Sequence, residues 1–530
     1  MLSSASRCGF KTGSSQQRLR CQRLTKWQPR ASAVQLAHQS PNREAFVARR
    51  CGLSTSRHSL GPSSVQDFKG RQRAKSSQYA SSLRSIVAST EDKLNVLVVG
   101  GGGREHALCW GLARSARCGT LFCAPGNPGI ASDATCVDSS ELNVSDNDAV
   151  VEFCKANGVS LVVVGPEAPL VDGLVDVLRV ADIPAFGPTK AAAQIEGSKA
   201  FMKDLCKKYN IPTAAYEKFT DVEAAKSYIR SQGAPIVIKT CGLAAGKGVI
   251  VAMTEEDALQ AVEDMLVGGA FGSAGAEVVI EEFMTGEEAS FFAIVDGETA
   301  LPLQSAQDHK RVGDGDTGLN TGGMGAYSPA PVVSPEIADH IMQDLVLPTV
   351  QAMKMEGCPY TGVLYAGVMI KDGKARLVEY NARFGDPECQ VLIPRLKNDL
   401  LEVLLCACGA GDQALSEVEL QWTEDSAVVV VMAAEGYPGA YKKGTAIGGV
   451  EAADDVDGVI VFHAGTANDT SGQLVSAGGR VLGVTAIKGD VRETTQQAYA
   501  AVDLLQWPEG FCRRDIAWRA IERLESVNDQ

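Results

Sequence analysis

No stretch of the 530-residue chain approaches eighteen apolar residues without a charge, so no segment has the make-up of a membrane-spanning helix. No Cys-x-x-Cys pair occurs among the 15 cysteines. Those beyond residue 90 are scattered, mostly in apolar runs such as those holding Cys109, Cys154 and Cys206, and Cys406-x-Cys408 lies in a helical apolar stretch. This spacing excludes a zinc site and a disulfide framework and implies thiols in a reducing compartment. There is no internal repeat, and neither a nucleophile elbow nor a Cys/His signature. What the first 90 residues lack is acid: 16 Lys/Arg stand against 2 Asp/Glu, with 18 Ser and no lasting apolar period. Such a leader reads as an organelle transit peptide and lacks the apolar core of a secretory signal. The other reading is a basic tail for nucleic acid or anionic lipid. Plastid is preferred to mitochondrion because Ser76–Ser89 shows little amphipathic helix, and processing is expected near Val87–Thr90.

Beyond the leader the balance reverses, with 34 Lys/Arg against 62 Asp/Glu in residues 91–530, a charge of −28. A nucleic-acid surface needs a basic stripe, which this composition argues against, whereas small phosphorylated ligands need only a few local donors. The length suggests about three domains. In residues 95–195, strand signals at Leu94–Val99, Leu161–Val164 and Ile183–Phe186 alternate with helical ones at Glu105–Ala113 and Val171–Val180, the pattern of a doubly wound α/β layer. Ligands of such layers bind at the carboxyl ends of the strands. Residues 196–410 form a second unit: a helix at Ser198–Tyr209, strands at Pro235–Lys239, Val249–Ala252, Val278–Glu282 and Ser290–Val295, and a polar stretch Gln307–Tyr327. Asp372-Gly373 marks a hairpin between Leu364–Ile370 and Ala375–Tyr380. The tail, 420–530, has strands Ala427–Ala433 and Val481–Thr485 and a helix Thr495–Leu505, a small α+β unit.

Four segments carry chemistry. Gly100–Gly103 followed by Arg104-Glu105-His106 places glycines and a helix N-terminus where a phosphate would bind, with Arg104 adding a guanidinium fork. Glu105 stands where a dinucleotide fingerprint has its third glycine, which argues against nicotinamide binding. Lys239 and the loop Gly242–Gly248, with Lys247, depart from a P-loop in spacing and lack its hydroxyl. Strand signals on both sides make this loop a hairpin that would fold over a triphosphate. Glu281-Glu282 and Glu287, next to Phe283, could bond an adenine edge and a ribose hydroxyl, or simply end a strand. Glu379-x-Asn381-x-Arg383 places two oxygen ligands on one face of a strand. Magnesium is held by one or two such groups plus substrate phosphates, and Arg383 could reach the same phosphates. The alternative is a salt-bridged surface strand.

Together these segments resemble the ATP-grasp superfamily, and within it the phosphoribosylamine–glycine ligase (glycinamide ribonucleotide synthetase) family, over roughly residues 94–525. The resemblance rests on Gly103–Leu108, Ala124–Asn127, Val164–Leu170, Phe186–Thr189, Glu196–Lys199, Gly242–Gly248, Gln307–Arg311, Asn320–Ala326, Arg383–Glu388 and Phe462–Thr466, in that order. It implies an N-terminal doubly wound α/β domain (94–195), a central ATP-grasp module (196–415, with a lid at about 210–290) and a small C-terminal α+β domain (420–528). It also implies ATP-dependent joining of glycine to 5-phosphoribosylamine through glycyl phosphate, a carbon–nitrogen ligation of purine biosynthesis, with Mg2+ or Mn2+. By motif, Lys199, Lys239, Gly242, Gly246, Lys247, Gly248, Glu281, Glu282 and Glu287 would bind ATP, and Glu379 and Asn381 the metal. Gly103, Arg104, Glu105, Asn127, Glu167, Asn320, Thr321, Gly322 and Gly323 would receive the other substrates, with Asp308, Lys310, Arg311 and Arg383 at the reacting centre. Thr240-Cys241, Leu319 and Ala382 depart from the family pattern without removing a phosphate donor or metal ligand. The expected partners are these small molecules, with neither nucleic acid nor membrane, for a monomer in the plastid stroma. A ligase for another carboxylate, a non-catalytic nucleotide-binding module and a dehydrogenase are the competing readings.

Overall fold

The computed structural model describes residues 93–244, 248–268 and 275–528. The leader lies outside the described residues, as do Gly246 and Lys247 of the candidate phosphate loop. The first sheet is parallel, in the order β3-β2-β1-β4-β5: β1 (Leu94–Gly100), β2 (Cys118–Pro125), β3 (Thr135–Cys136), β4 (Val159–Val164) and β5 (Ala185–Phe186). β1 is a continuous apolar run because both faces are covered. Val96 and Val98 pack into one apolar cluster, Leu97 and Val99 into the other. The helix after β1 runs Gly103–Leu112, two residues ahead of its expected start at Glu105. The reason is local: the Glu105 carboxylate turns back to accept the Gly102 N–H at 2.6 Å and so satisfies a free donor of the first turn. The single helix expected over Val171–Val180 is two, Glu167–Asp172 and Leu174–Val180, broken at Gly173 with φ +96. A left-handed residue of that kind ends helices.

The second sheet is antiparallel, ordered β6-β9-β7-β8: β6 (Tyr216–Phe219), β7 (Ile236–Thr240), β8 (Val249–Ala252) and β9 (Val278–Glu282). Helices Val222–Gln232 and Glu255–Leu266, capped by Asp221 and Thr254, complete it. Ile236, Ile238, Ile280, Val262 and Met265 are among the residues of an apolar cluster that belongs to this unit alone. β7 and β8 pair directly as antiparallel neighbours, as the strand signals on either side of Gly242–Gly248 imply.

β10 (Glu287–Asp296) and β11 (Ala300–Pro302) enter a third sheet with the long hairpin described below, while β12 (Gln307–Asp308), β13 (Arg311–Gly313), β14 (Thr317–Asn320) and β15 (Gly325–Ser328) follow in the polar stretch. β13 and β14 form a small hairpin of their own. β16 (Thr361–Lys371) and β17 (Lys374–Asn381) complete the order β11-β10-β16-β17. Their turn has Asp372 at φ +52 and Gly373 at φ +74, the pair of positive angles that suits a two-residue hairpin.

The last strands are β18 (Ala427–Ala434), β19 (Val459–His463), β20 (Thr466–Asn468), β21 (Leu474–Ser476), β22 (Arg480–Ile487) and β23 (Gly510–Phe511). They do not form a closed unit. The sheet runs β12-β15-β18-β22-β19, so the Gln307–Tyr327 stretch hydrogen-bonds into it across 100 residues of sequence. The final packed helix before the C-terminal one is Val491–Val502, begun by Asp490 and not at Thr495. Among the described residues no helix is long and apolar enough to cross a membrane.

Candidate active site

A cleft of about 540 Å³ is lined by residues from the first, second, third and last sheets and their connections. β7 and β8 supply one wall, because alternation sends Ile236 and Ile238 into their own core and Val237 and Lys239 outward. β16 and β17 supply the opposite wall through Tyr365, Met369, Glu379 and Asn381. Arg104, Glu167, Glu196 and Lys199 enter from the N-terminal side, and Tyr437 and Arg480 from the last sheet.

One irregularity decides what β17 presents. Glu379 pairs with Gly367 but Leu377 pairs with Val368, leaving Val378 as an extra, bulged residue. A bulge changes the parity of every residue beyond it. Ala375 and Leu377 lie in the core before it, Tyr380 and Ala382 after it, and so Glu379, Asn381 and Arg383 face the cleft. The bulge also frees the Val378 carbonyl, which accepts the Lys239 ammonium at 3.2 Å. Neither the Glu379 nor the Asn381 side chain is hydrogen-bonded among the described residues. Burial pushes the Glu379 carboxyl up, but Lys310, Lys239, Lys199 and Arg383 outweigh it and hold the group below its ordinary value, hence ionised. An ionised carboxylate and an amide oxygen, unpartnered on one strand face, suit a hard divalent cation that takes its remaining ligands from phosphates and water. No group of three or more His, Cys, Asp or Glu that could hold a metal by itself occurs among the described residues.

Behind Lys239 sits a buried triad. The Glu281 carboxylate receives Lys239 and the fully buried Lys203, each at 3.1 Å, while its other oxygen is buried without a partner. Lys203 is anchored in turn on the Thr213 hydroxyl at 2.8 Å. Glu282, the next residue, faces the other way and takes a bidentate grip from Arg376 at 2.7 and 3.0 Å. Lys199 reaches the Gly242 carbonyl at 3.4 Å, tying the hairpin loop to the start of helix Lys199–Tyr209.

At the far end the charges are tightly matched. Arg383 is held by Glu196 at 3.0 Å and Glu167 at 3.3 Å. Arg480 pairs with Asp386 at 3.2 Å and donates to the carbonyls of Asp386 and Gly323 at 2.6 and 3.3 Å, and to that of Gly322. The Tyr437 hydroxyl accepts the Gly322 N–H at 3.1 Å, so the turn after β18 and the first residue of β22 both hold the Asn320–Gly323 loop. Lys310 pairs with Glu288; burial draws its ammonium down, but Glu288 and Glu379 more than offset this and keep it protonated. Asp308 borders the cleft with one buried, unpartnered oxygen.

Of the residues expected from sequence, Arg104, Glu167, Lys199, Lys239, Gly248, Glu281, Glu282, Asp308, Lys310, Asn320, Thr321, Gly322, Glu379, Asn381 and Arg383 border this one cleft. Six do not. Arg311, the first residue of β13, donates to the Gly318 carbonyl at 2.7 Å instead. Glu287, one residue before the cleft-facing Glu288, bonds Gln307 and Arg523 instead. Glu105 is buried, saturated by Gly102 N–H and by Arg104 at 2.6 Å. A Cβ at Gly165 would stand 2.1 Å from its carboxylate, so the nearby glycine makes room for a side chain and not for a phosphate. Asn127 spends its amide on the Gly101 and His463 carbonyls and the Gly129 and Ile130 N–H groups. Gly103 backs onto Gln390, where a Cβ would meet the amide at 2.5 Å, and Gly323 turns toward Asp308 and Pro387. Gly242 is linked to the site through its carbonyl, which accepts Lys199. Sequence reading passed over Glu196, Glu388, Tyr437 and Arg480, all of which border the cleft. Only Glu196 and Glu388, within quoted motif strings, carried any signal.

Comparison with known proteins agrees with this architecture. Residues 94–196 match the N domain of phosphoribosylglycinamide synthetase, 197–389 its ATP-grasp (A) domain and 427–519 its C domain. The chain is 60% identical over 425 residues to the chloroplastic phosphoribosylamine–glycine ligase of Arabidopsis thaliana, covering 79% of each chain. It is 57% identical over 430 residues to the phosphoribosylamine–glycine ligase of Mesorhizobium japonicum, covering 81% of this chain and 99% of the relative. The solved phosphoribosylamine–glycine ligase of Thermotoga maritima superposes with a TM-score of 0.69 at 32% identity, over 80% of this chain and all of that one. A biotin carboxylase domain from Hydrogenobacter thermophilus, solved with MgADP and bicarbonate, shares the fold at TM-score 0.59 and 16% identity, covering 79% of this chain and 91% of its own. By these matches the chain is a member of the phosphoribosylglycinamide synthetase family of ATP-grasp proteins.

Proposed function

We propose that the protein is an ATP-dependent ligase that joins glycine to 5-phosphoribosylamine, giving glycinamide ribonucleotide, ADP and phosphate in de novo purine biosynthesis. The observation that carries this is the unpartnered Glu379–Asn381 pair, ringed by Lys199, Lys239 and Lys310 in a cleft of nucleotide size. The family's relatives, named as this ligase, support the choice of substrates.

A carboxylate is a poor acyl donor because its leaving group would be an oxide. In the first step a glycine carboxylate oxygen attacks the γ-phosphorus, the bond to the β-phosphate oxygen breaks, and ADP leaves. In the second the amine of phosphoribosylamine attacks the acyl carbon, inorganic phosphate leaves and the amine gives up a proton. Phosphoryl transfer is mostly positioning and charge stabilisation. Lys199 and Lys239 neutralise the triphosphate, with the orphaned Glu281 oxygen open to a donor of the nucleotide. Lys310 stands between the transferred phosphate and the acid, and Arg383, fixed by Glu167 and Glu196, orients the phosphoribosyl side with Arg104. Glu379 and Asn381 would hold a divalent cation, Mg2+ or Mn2+, which would supply charge neutralisation for the phosphates. The β6–β9 unit, roughly residues 210–290, acts as a lid that excludes water from the acyl phosphate.

The chain acts as a monomer on small molecules, without nucleic acid or membrane. Its leader directs it to the plastid, a reading supported by the chloroplastic relative. The test is substrate omission: ADP release should require both glycine and phosphoribosylamine. Release that continues without either, or that prefers another acid, overturns the proposal.

A further inference from the structure

We infer that Arg376 is a positioning residue for the ligation: its guanidinium holds the lid in register with β17, the strand that bears Glu379 and Asn381. This role rests on the ligase reading and its lid. Arg376 stands outside the described residues that border the cleft, yet it reaches both crossings of the chain between lid and body. The chain enters the lid through residues 212–216 and leaves it at Glu282, the last residue of β9. The guanidinium donates to both Glu282 oxygens, at 2.7 and 3.0 Å, and to the Thr213 carbonyl at 2.9 Å. The Glu282 carboxylate in turn accepts the Ala215 N–H at 3.1 Å, and the Glu282 N–H donates to the Ala215 carbonyl at 2.8 Å. Incoming and outgoing strands are thereby tied to each other and to one side chain of β17. The incoming strand also meets β17 directly: the Leu377 N–H donates to the Pro212 carbonyl and the Thr213 hydroxyl to the Leu377 carbonyl, each at 2.8 Å.

Stability of the fold does not account for this convergence. The lid is held together by an apolar cluster of its own. The Arg376 and Glu282 side chains are 40% and 43% exposed, and ion pairs so open to water add little to stability. Such a pair parts and re-forms readily, as a contact made at each closure must. A planar fork that meets two oxygens in parallel fixes direction as well as distance. The Arg376 hydrogen bond is the chief cause that holds the Glu282 carboxyl below its ordinary range, so the fork meets a charged partner.

The flanking residues make this register matter. Next to Glu282 is Glu281, whose orphaned oxygen and ion pair with Lys239 belong to the nucleotide wall. Shortly after Arg376, beyond the Val378 bulge, comes Glu379 on the cation wall. A lid displaced against β17 shifts the phosphates from the cation ligands and opens the seam between the walls. Water that reaches glycyl phosphate returns glycine and inorganic phosphate, so each leak releases ADP without product.

In the full chain, Arg376→Gln should keep the urea midpoint of the unmodified protein and lose coupling. ADP and glycinamide ribonucleotide form in equal amounts when every acyl phosphate is captured; the variant should release ADP in at least about twofold excess over product. Arg376→Lys keeps the charge but cannot grip both Glu282 oxygens and the Thr213 carbonyl at once, so its excess should lie between. Equal amounts in Arg376→Gln would overturn the inference, whether turnover is normal or reduced. So would an excess larger in Arg376→Lys than in Arg376→Gln, or a lowered urea midpoint or failure to fold, which would make the guanidinium a prop of the fold. Absence of ADP release dependent on glycine and phosphoribosylamine in the unmodified protein would fail the ligase reading instead.

Discussion

Glu379 and Asn381 share a strand face without a side-chain hydrogen bond among the described residues, and Lys310, Lys239, Lys199 and Arg383 hold the carboxylate ionised. Glu379→Gln and Asn381→Ala should therefore leave the fold intact and lower apparent affinity for the divalent cation by about 10–100-fold, as loss of a metal-site group generally does. Titration of ADP release with Mg2+ reads this directly, and an unchanged half-saturation would remove both residues from the cation site. His309, between two cleft-facing residues, serves the fold instead. Its ring is fully buried, accepts the Ala517 N–H at 2.9 Å, and burial draws its pKa down to about 3. Below pH 6.5 the unfolded chain binds a proton that the folded chain refuses, so this residue's contribution is complete above pH 6.5 and declines as pH falls toward 3. The chain should lose about 1 kcal/mol per pH unit through this window from His309 alone. Urea midpoints at pH 7 and pH 5 should therefore differ less in His309→Gln than in the unmodified protein.

The bulge at Val378 is the element on which the cation site depends. Deleting Val378 restores regular pairing and rotates Glu379 and Asn381 into the core, which should lower kcat/KM by at least about 100-fold. Circular dichroism would separate this from unfolding, and retained turnover would show that parity is not what places the pair. Strand alternation also explains what was legible in the sequence. The two-residue spacing of Glu379, Asn381 and Arg383 was enough to set them on one face, and Asp-Gly was enough to mark the hairpin. Applied strictly, the same period separates Glu288 from Glu287, since only one of the two faces the cleft. The glycines after β1 misled in another way: a glycine signals space, and here the occupant is the Glu105 side chain. The bulge itself was hidden, because it is defined by the register of the partner strand and not by Val378.

At the scale of the whole molecule, the cleft is completed by a sheet that begins at Ala427 yet includes Gln307–Asp308 and Gly325–Ser328. This is why Tyr437 and Arg480 went unnoticed: a strand pairing spanning 100 residues leaves no local pattern. Arg480→Lys should reduce kcat/KM by about 1.5–3 kcal/mol, or roughly 10–100-fold, because an ammonium cannot serve Asp386 and the Gly322 and Gly323 carbonyls together. Tyr437→Phe, which removes only the acceptor for Gly322 N–H, should lose less; the reverse order would deny the guanidinium its bridging role.

The apolar cluster enclosed by β6–β9 and its two helices shares no residue with the other three. As the proposed lid, this unit would carry its apolar interior with it, like cargo in a closed container, and would part polar ties instead: Lys203 to Glu281, Lys239 to the Val378 carbonyl and Arg376 to Glu282. On that proposal turnover would be tuned at these ties and at the Lys199–Gly242 contact, with the apolar packing of the other sheets untouched.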